Sequence, residues 1–171
     1  MIVIFDTDIL SCVCKTKIFD LIKELFKGCD FVIPVRVCEE LHAAKKLGYD
    51  FVDYMLDLID NSEISVLPLT AEEIPKLVTI ENDLNLDFGE SEAIVLALRK
   101  DSTLLSNDHL VKKRCKNMDI EIFNLEDIIS FAIEKRLINN IDNLLQIITA
   151  IELKDRVKVR NKQYLLEKLS K

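Results

Sequence analysis

Residues 89–108 read Gly-Glu-Ser-Glu-Ala-Ile-Val-Leu-Ala-Leu-Arg-Lys-Asp-Ser-Thr-Leu-Leu-Ser-Asn-Asp. Every residue from Ala93 to Leu98 is hydrophobic, and a helix without a polar side is normally buried. Glu90 and Glu92 follow Gly89 in the first turn, where acidic groups interact favourably with the helix dipole. Residues 102–106 then indicate a short strand that ends just before Asp108. The stretch therefore predicts a buried helix, a strand and carboxylates at the edge of a hydrophobic core.

The rest of the chain repeats this alternation of strands and helices. An apolar strand at Ile2–Phe5 ends at Asp6, and further strands are predicted at 30–33, 64–67 and 120–123. Helices are predicted between them, including one that begins at Pro34 and reaches about Leu47, one after an N-cap at Thr70 that reaches about Leu84, and one that runs from Asn124 to Arg136. Such an alternation predicts an α/β fold, with a parallel sheet of about four to five short strands covered by helices on both faces.

The composition bounds the class of protein. The 171 residues are 49% hydrophobic and 31% charged, as in an ordinary globular domain. No apolar run is long enough to cross a membrane, and the first residues do not resemble a signal peptide. The five cysteines form no Cys-x-x-Cys pair, so we expect reduced thiols and a cytoplasmic protein. Only three glycines are present, which excludes Gly-rich phosphate-binding loops.

The net charge of −7 argues against a protein that coats nucleic acid non-specifically. The charge is uneven, because residues 154–171 hold seven Lys or Arg against Asp155 and Glu167. A second basic run, Lys112-Lys-Arg-Cys-Lys116, follows directly after Asp108. Either run is explained by a solvated helix face. The position of the second run beside an acidic residue favours contacts with phosphate.

Helix geometry singles out one acidic residue after the second strand. Successive residues of a helix turn by about 100°, so Val37, Leu41 and Ala44 form one stripe toward the core. Glu40 lies within about 70° of the middle of this stripe, whereas Glu39 points nearly the opposite way. Glu40 is therefore predicted to face the interior, which is unusual for a carboxylate.

Four carboxylates from distant parts of the sequence are predicted to converge. Asp6 and Asp108 end strands, and Glu40 and Glu90 lie on helices expected beside them. Two carboxylates at about 4 Å repel by roughly 4 kcal/mol at an effective dielectric near 20, so such a cluster needs a cation. Ligation by oxygen alone favours Mg²⁺ or Mn²⁺, which support hydrolysis of phosphodiesters. The alternative is that these acids are capping and ion-pair residues.

In these acidic motifs the chain resembles a known family, the PIN domain, which is the nuclease fold of VapC-type toxins and of several RNA-processing enzymes. The motifs that carry the resemblance lie in order within residues 1 to about 130: Phe5-Asp-Thr-Asp-Ile-Leu10, Ile33-Pro-Val-Arg-Val-Cys-Glu-Glu-Leu41 and Leu105-Ser-Asn-Asp108. The resemblance places family acids at Asp6, Glu40 and Asp108, and the assignment of Glu40 agrees with the helical-face geometry.

The third acid of the family is an Asp in many members, and here the candidates are Glu90 and Glu92. Alignment without gaps back from Asp108 matches the usual spacing at Glu90, with Glu92 as an auxiliary metal ligand or a neighbour of the site. A Glu in place of an Asp leaves open whether one or two metal ions are bound.

The resemblance implies a metal-dependent endoribonuclease with Asp6, Glu40, Glu90 and Asp108 as its catalytic metal ligands. It further implies that Ser106 and Asn107 support these ligands or contact phosphate, and that the basic run with Lys112 and Lys113 holds the RNA backbone. It also implies a homodimer, and a toxin of a toxin–antitoxin pair or an RNA-processing enzyme with its own partner.

Residues 1–136 correspond to the nuclease domain, and residues 137–171 form a helical extension that departs from the compact toxin pattern. The extension is compatible with a dimerisation arm, a substrate-binding element or an anchor for a partner. Two rival functions remain at this level. The chain could be a non-catalytic PIN-like interaction module in RNA metabolism, or a nuclease directed at DNA.

Overall fold

The centre of the protein is a parallel β-sheet. The computed structural model describes residues 1–84 and 86–170, with the side chains of 83 and 84 outside the description. The strands are β1 (Ile2–Phe5), β2 (Asp30–Pro34), β3 (Ser65–Leu67), β4 (Ser102–Leu105) and β5 (Glu121–Phe123). They lie in the order β3-β2-β1-β4-β5, and each neighbouring pair is parallel. The predicted α/β class is therefore confirmed.

Helices connect the strands and continue beyond β5. The described residues contain α1 (Thr7–Thr16), α2 (Phe19–Leu25), α3 (Val35–Lys46), α4 (Phe51–Asp60), α5 (Ile74–Leu84), α6 (Phe88–Ala97), α7 (His109–Asn117), α8 (Leu125–Glu134), α9 (Ile141–Lys154) and α10 (Lys162–Leu169). The basic run that follows Asp108 lies on α7.

The sheet separates two hydrophobic clusters, because successive side chains of a strand point to opposite faces. In β1, Val3 and Phe5 pack with α1 to α4 and with α8 to α10. Ile4 packs on the other face with α5, α6 and α7. The protein therefore has the three layers that the sequence predicts, and α6 is buried against the sheet as its apolar sequence requires.

The order of the strands creates a crevice at the carboxyl edge of the sheet. From β1 the chain proceeds outward through β2 and β3, and then returns to place β4 and β5 on the other side of β1. Parallel α/β sheets bind ligands where the strand order reverses in this way. Phe5 of β1 is in register with Leu105 of β4, so the residues that follow, Asp6 and Ser106, are neighbours.

Two predicted helix boundaries are wrong by two to four residues. The helix expected directly after Thr70 begins at Ile74, because the Thr70 N–H donates to Glu73 Oε2 at 2.8 Å within a turn. Arg99 holds the Glu73 carboxylate through two bonds of 2.7 Å and so stabilises this turn. The helix expected to reach Arg136 ends at Glu134, and Arg136 has the left-handed φ of 59° that ends many helices.

The extension shares the core of the preceding domain. Ile138, Leu144 and Ile151 of the extension are fully buried in the cluster that contains α1 and α8. The boundary between a nuclease domain and an extension at residue 137 thus remains a prediction from the sequence. Residue 171 lies outside the described residues. No helix in residues 1–84 and 86–170 combines the length and the hydrophobicity that are needed to cross a membrane.

Candidate active site

Asp6 lies at the point where β1 meets α1, and its carboxylate is the N-cap of α1. Asp6 Oδ1 accepts a hydrogen bond of 2.8 Å from the Ile9 N–H, and the residue is only 4% exposed. Burial raises the pKa of Asp6 to about 7, against the opposing effect of hydrogen bonds from Ser106 and Ile9. The charges of Asp8 and Glu90 raise this pKa further. Asp6 is therefore a buried carboxylate in a negative environment.

Asp108 occupies the equivalent position after β4, as the N-cap of α7. Asp108 Oδ1 accepts hydrogen bonds from the N–H groups of Leu110 at 2.6 Å and Val111 at 2.8 Å. Its own N–H donates to Ser106 Oγ at 3.1 Å. Ser106 is fully buried beside Asp6, and its hydroxyl lowers the pKa of Asp6. This arrangement fits the supporting role that the resemblance implies for Ser106.

Glu90 lies in the first turn of α6, in a capping box with Asp87. The Glu90 N–H donates to Asp87 Oδ1 at 2.7 Å, and the Asp87 N–H donates to Glu90 Oε2 at 3.1 Å. Burial raises the pKa of Glu90 to about 7, and the charges of Asp87, Asp108 and Asp8 act in the same direction. The charge interactions of Glu90 with Asp6 and Asp108 show that α6 brings its acid to the crevice between β1 and β4.

Glu40 extends from α3 toward the same crevice. Thr7, between Asp6 and Asp8, donates its hydroxyl hydrogen bond to Glu40 Oε2 at 2.5 Å. A Cβ atom built on Gly89 would lie 3.2 Å from Glu40 Oε1, so α3 and α6 approach each other closely here. Glu40 thus has the inward orientation that helix geometry predicts. The absence of a side chain at Gly89 leaves space for the Glu40 carboxylate.

Glu92 lies on a different side of α6 from Glu90. Its Oε2 accepts a hydrogen bond of 2.8 Å from the Arg36 N–H, and Val35 also donates to it from the backbone. These are first-turn groups of α3, whose own N-cap, Pro34, has no side chain that can accept such a bond. Glu92 therefore caps α3 across the helix–helix contact.

The remaining predicted residues have structural bonds of their own. Asn107 Oδ1 accepts a 3.0 Å hydrogen bond from the Leu125 N–H at the start of α8. Lys112 Nζ lies 2.7 Å from Asp127 Oδ2, in a half-exposed salt bridge. Lys113 is exposed on α7. Asn107 directly precedes Asp108, and the contact of all three residues with phosphate remains a prediction.

Sequence reasoning missed three residues of the crevice: Thr7, Asp8 and Asp87. Burial and then the charges of Asp155, Asp87 and Asp108 raise the pKa of Asp8, so this carboxylate also faces the acidic cluster. The sequence signal for the first two was the polar pair that follows Asp6 at the end of a strand. Asp87 could have been found as an N-cap that precedes Glu90 by three residues, which is the spacing of a capping box.

The donor set fits a hard divalent cation. Carboxylate and hydroxyl oxygens line the crevice, and Mg²⁺ and Mn²⁺ prefer such ligands. In the described part of the chain, however, no three His, Cys, Asp or Glu side chains are close enough together to form a ready-made metal site. Burial is the main cause of the raised pKa of Asp6, with smaller contributions from the charges of Asp8 and Glu90, and a cation bound beside it would stabilise the ionised carboxylate.

Comparisons with known proteins agree with this architecture. A family model described as a PIN domain matches residues 2–169. Among solved structures, a chain of VapBC2 from Rickettsia felis bound to a DNA fragment from their promoter is similar with a TM-score of 0.53. The alignment has 17% identity and covers 72% of this chain and 98% of that chain, which supports a shared fold. A search of curated proteins gave no match. Because the family model covers nearly the whole sequence, the chain belongs to the PIN-domain family.

Proposed function

We propose that this protein is a metal-dependent endoribonuclease whose metal ligands are Asp6, Glu40, Glu90 and Asp108. The observation that carries the proposal is the position of buried Asp6. Asp6 lies where the strand order reverses, between β1 and β4. Here the charge of Glu90 raises the pKa of Asp6, and the charge of Asp108 raises the pKa of Glu90. Membership of the PIN-domain family supports nuclease chemistry in general, and the choice of RNA follows from the family resemblance.

The proposed ligands would hold Mg²⁺ or Mn²⁺, which when bound supplies an activated water and neutralises charge on the phosphate. The residues of the chain have separate roles around it. Asp6 and Asp108 are held by the N-termini of α1 and α7, so their carboxylates keep fixed positions. Thr7 orients Glu40 through its hydroxyl. Because Oδ1 of Asp108 accepts both backbone bonds, its Oδ2 is the oxygen available to a ligand.

A toxin–antitoxin role is part of the proposal. The fold resembles a chain of VapBC2, and this likeness supports an antitoxin as the protein partner, with a homodimer as the expected assembly. An RNA-processing enzyme with a different partner is the alternative within the same family. Toxicity on expression in a bacterial host, relieved by Asp6→Asn, would support the toxin role. Normal growth with an active enzyme would contradict it.

The rival function is a non-catalytic interaction module, and one observation favours it. The described carboxylates do not form a ready-made metal site. The direct test is cleavage of end-labelled single-stranded RNA and DNA in Mn²⁺, Mg²⁺ or EDTA. Cleavage of RNA that requires the metal would support the endoribonuclease. Metal-dependent cleavage of DNA alone would redirect the proposal to a DNA nuclease. The absence of cleavage together with no effect of metal on the melting temperature would favour the interaction module.

Glu90→Gln and Glu92→Gln are expected to separate the two candidates for the third acid. Both substitutions keep an oxygen that can accept the observed backbone hydrogen bond, so both proteins should fold. We expect Glu90→Gln to lower the rate of RNA cleavage by about 10²-fold or more, since loss of even an outer-shell partner of a metal typically costs about 10–100-fold. Glu92→Gln should change the rate by less than about 3-fold, because its carboxylate caps α3. A reversed order of effects in rate measurements would assign Glu92 as the ligand.

Gly89→Ala is expected to lower activity. Gly89 is the second residue of α6, at the point where this helix approaches Glu40 of α3. The added Cβ would lie 3.2 Å from Glu40 Oε1 and displace that carboxylate, so we expect cleavage to fall roughly tenfold. Thr79→Ala, at an exposed position of α5, is the control that should gain helix stability without loss of cleavage. Equal activity of Gly89→Ala and wild type would contradict the expectation that the position of the Glu40 carboxylate limits cleavage.

A further inference from the structure

Residues 155–161, hereafter the 155–161 segment, return the chain from α9 to the vicinity of the acidic crevice. Their side chains alternate in exposure. Val157 and Val159 pack against the main core, whereas Lys158 and Arg160 between and beyond them are exposed. This alternation is typical of an extended chain that lies on a surface and presents every second side chain to solvent. The valines therefore fix the segment while the cations remain available.

Polar contacts hold both ends of the segment in place. At its start, Lys15 of α1 lies 2.8 Å from Asp155 Oδ1, and the Asp155 side chain is 9% exposed. At its end, Glu126 of α8 accepts a 2.6 Å bond from the Arg160 N–H and a 2.6 Å bond from Asn161 Nδ2. These contacts join the extension to the helices that follow β1 and β5. The segment is thus positioned by the same sheet edge as the acids.

A groove separates the segment from the start of α7. Its volume is about 460 Å³, and its lining includes Asn107, His109, Lys112, Glu126, Lys158 and Arg160. A second recess of about 300 Å³ shares Asn107 and Val157 with it and reaches Asp8. Because the two recesses share Asn107 and Val157, they are neighbours on the surface between Asp8, near the start of α1, and the pair Lys158 and Arg160.

The groove is basic in effect. Lys158 and Arg160 form no salt bridge with any of the described residues. They face one acid of the lining, Glu126, whose carboxylate is held against the segment by hydrogen bonds from the Arg160 N–H and from Asn161, so the two cations outnumber it. The two neighbouring recesses therefore have Asp8, close to the proposed metal ligands in sequence, at one end and the cations Lys158 and Arg160 at the other, which suits a phosphodiester chain that extends away from the acidic crevice.

We propose that the 155–161 segment binds the backbone of single-stranded RNA in this groove, with Lys158 and Arg160 contacting phosphates on one side of the scissile bond. The inference rests on the proposed nuclease function and adds to it a role for the extension. Side chains two residues apart on an extended chain are separated by about 7 Å, comparable to successive phosphates of an extended strand.

The test measures binding without cleavage. A fluorescently labelled single-stranded RNA of about 12 nucleotides is titrated with the full chain in EDTA over a series of salt concentrations. For single strands, the logarithm of the binding constant falls with log salt with a slope of about −0.7 per phosphate contact. The double variant Lys158→Gln/Arg160→Gln loses two contacts, so its slope should be less negative by about 1.4. Its affinity near 0.1 M salt should fall about tenfold. Circular dichroism would verify that the variant is folded.

The matched control is Lys27→Gln/Lys100→Gln, which removes the same charge from exposed positions before β2 and β4, at the opposite edge of the sheet. Equal losses in the two double variants, or no binding by wild type, would overturn the inference. Displacement of the RNA by polyglutamate of equal charge as effectively as by unlabelled RNA would overturn it too, in favour of an acidic protein segment.

Cleavage separates this inference from the proposed function. If wild type cleaves RNA and the Lys158→Gln/Arg160→Gln variant binds and cleaves it equally well, the 155–161 segment has no such role and the nuclease proposal stands. If binding depends on Lys158 and Arg160 but no metal supports cleavage, the phosphate contacts stand and the nuclease proposal is overturned.

Discussion

Asp6→Asn is expected to abolish metal-dependent cleavage of RNA, with a loss of at least about 10²-fold in initial rate. Asparagine keeps the side-chain oxygen that caps α1 at the Ile9 N–H, so the helix and the fold should be preserved. What is lost is the negative charge of the most buried acid in the crevice, which is 4% exposed. The measurement is the rate of cleavage of end-labelled single-stranded RNA in Mn²⁺, Mg²⁺ and EDTA.

Asp108→Asn should produce the same loss, because its side chain is fixed by α7 as that of Asp6 is fixed by α1. The control is Asp30→Asn, which removes an exposed carboxylate at the start of β2, at the other edge of the sheet. It should retain full activity. Wild-type rates in Asp6→Asn would remove Asp6 from the catalytic site and contradict the proposed metal ligation.

The second large effect is a fall in stability as the pH rises from 5 to 8 in EDTA. Burial raises the pKa of Asp6 from 3.8, and that of Glu90 from 4.5, to about 7 in the folded protein. Between these limits the folded state binds more protons than the unfolded state, so the free energy of unfolding decreases with rising pH. For Asp6 the change is on the order of 2–4 kcal/mol, or roughly 5–10 °C in Tm for a chain of this size.

Metal should reverse this loss. At pH 8 the carboxylates are ionised, so Mn²⁺ is expected to raise the Tm, whereas at pH 5 protons compete and the increase should be small. Asp6→Asn should remove the part of the pH dependence in EDTA that Asp6 supplies, leaving that of Glu90, and should remove most of the response to metal. Asp30→Asn should retain both. A Tm that is flat or rising from pH 5 to 8 in EDTA would show that Asp6 and Glu90 are not held in a repulsive, buried environment.

Between pH 5 and 8 the stability should not be affected by Glu73, an acid whose pKa is lowered rather than raised. Hydrogen bonds from Arg99 lower the pKa of Glu73 from 4.5 to about 2. The stability that this pair supplies is present above the ordinary pKa of a glutamate and is lost only as the pH falls through about 2. Measurements between pH 5 and 8 therefore report on the crevice acids, and a decline below pH 4 would report on the Glu73–Arg99 pair.

Most of the elements could be predicted because local physics determines them. Alternation of apolar segments and punctuation by capping residues place all five strands, and Asn124 caps its predicted helix in a full capping box. Glu40 could be oriented because the geometry of a helix sets which residues share a face. The start of α5 was missed because the turn before it depends on Arg99, a residue distant in sequence.

The different directions of the two acids of α6 could have been predicted from helix geometry alone. Glu90 and Glu92 are two residues apart, so they point about 200° apart around the helix and cannot both face one site easily. Glu90 faces Asp108 and Asp87, and Glu92 caps α3. The sequence could have separated the two directions. Which of them leads to the crevice depended on how α6 packs between the sheet and α3.

The sequence by itself determined the fold class, the strands and helices and the identity of the acidic residues, because hydrophobic periodicity and helix caps act over a few residues. Only the tertiary structure decided that β4 lies beside β1, which places Asp6 next to Ser106, and that the 155–161 segment returns to the same edge. The physical reason is that strand order and the docking of the extension depend on burial of hydrophobic surface between residues far apart in the chain, and no local pattern specifies those partners.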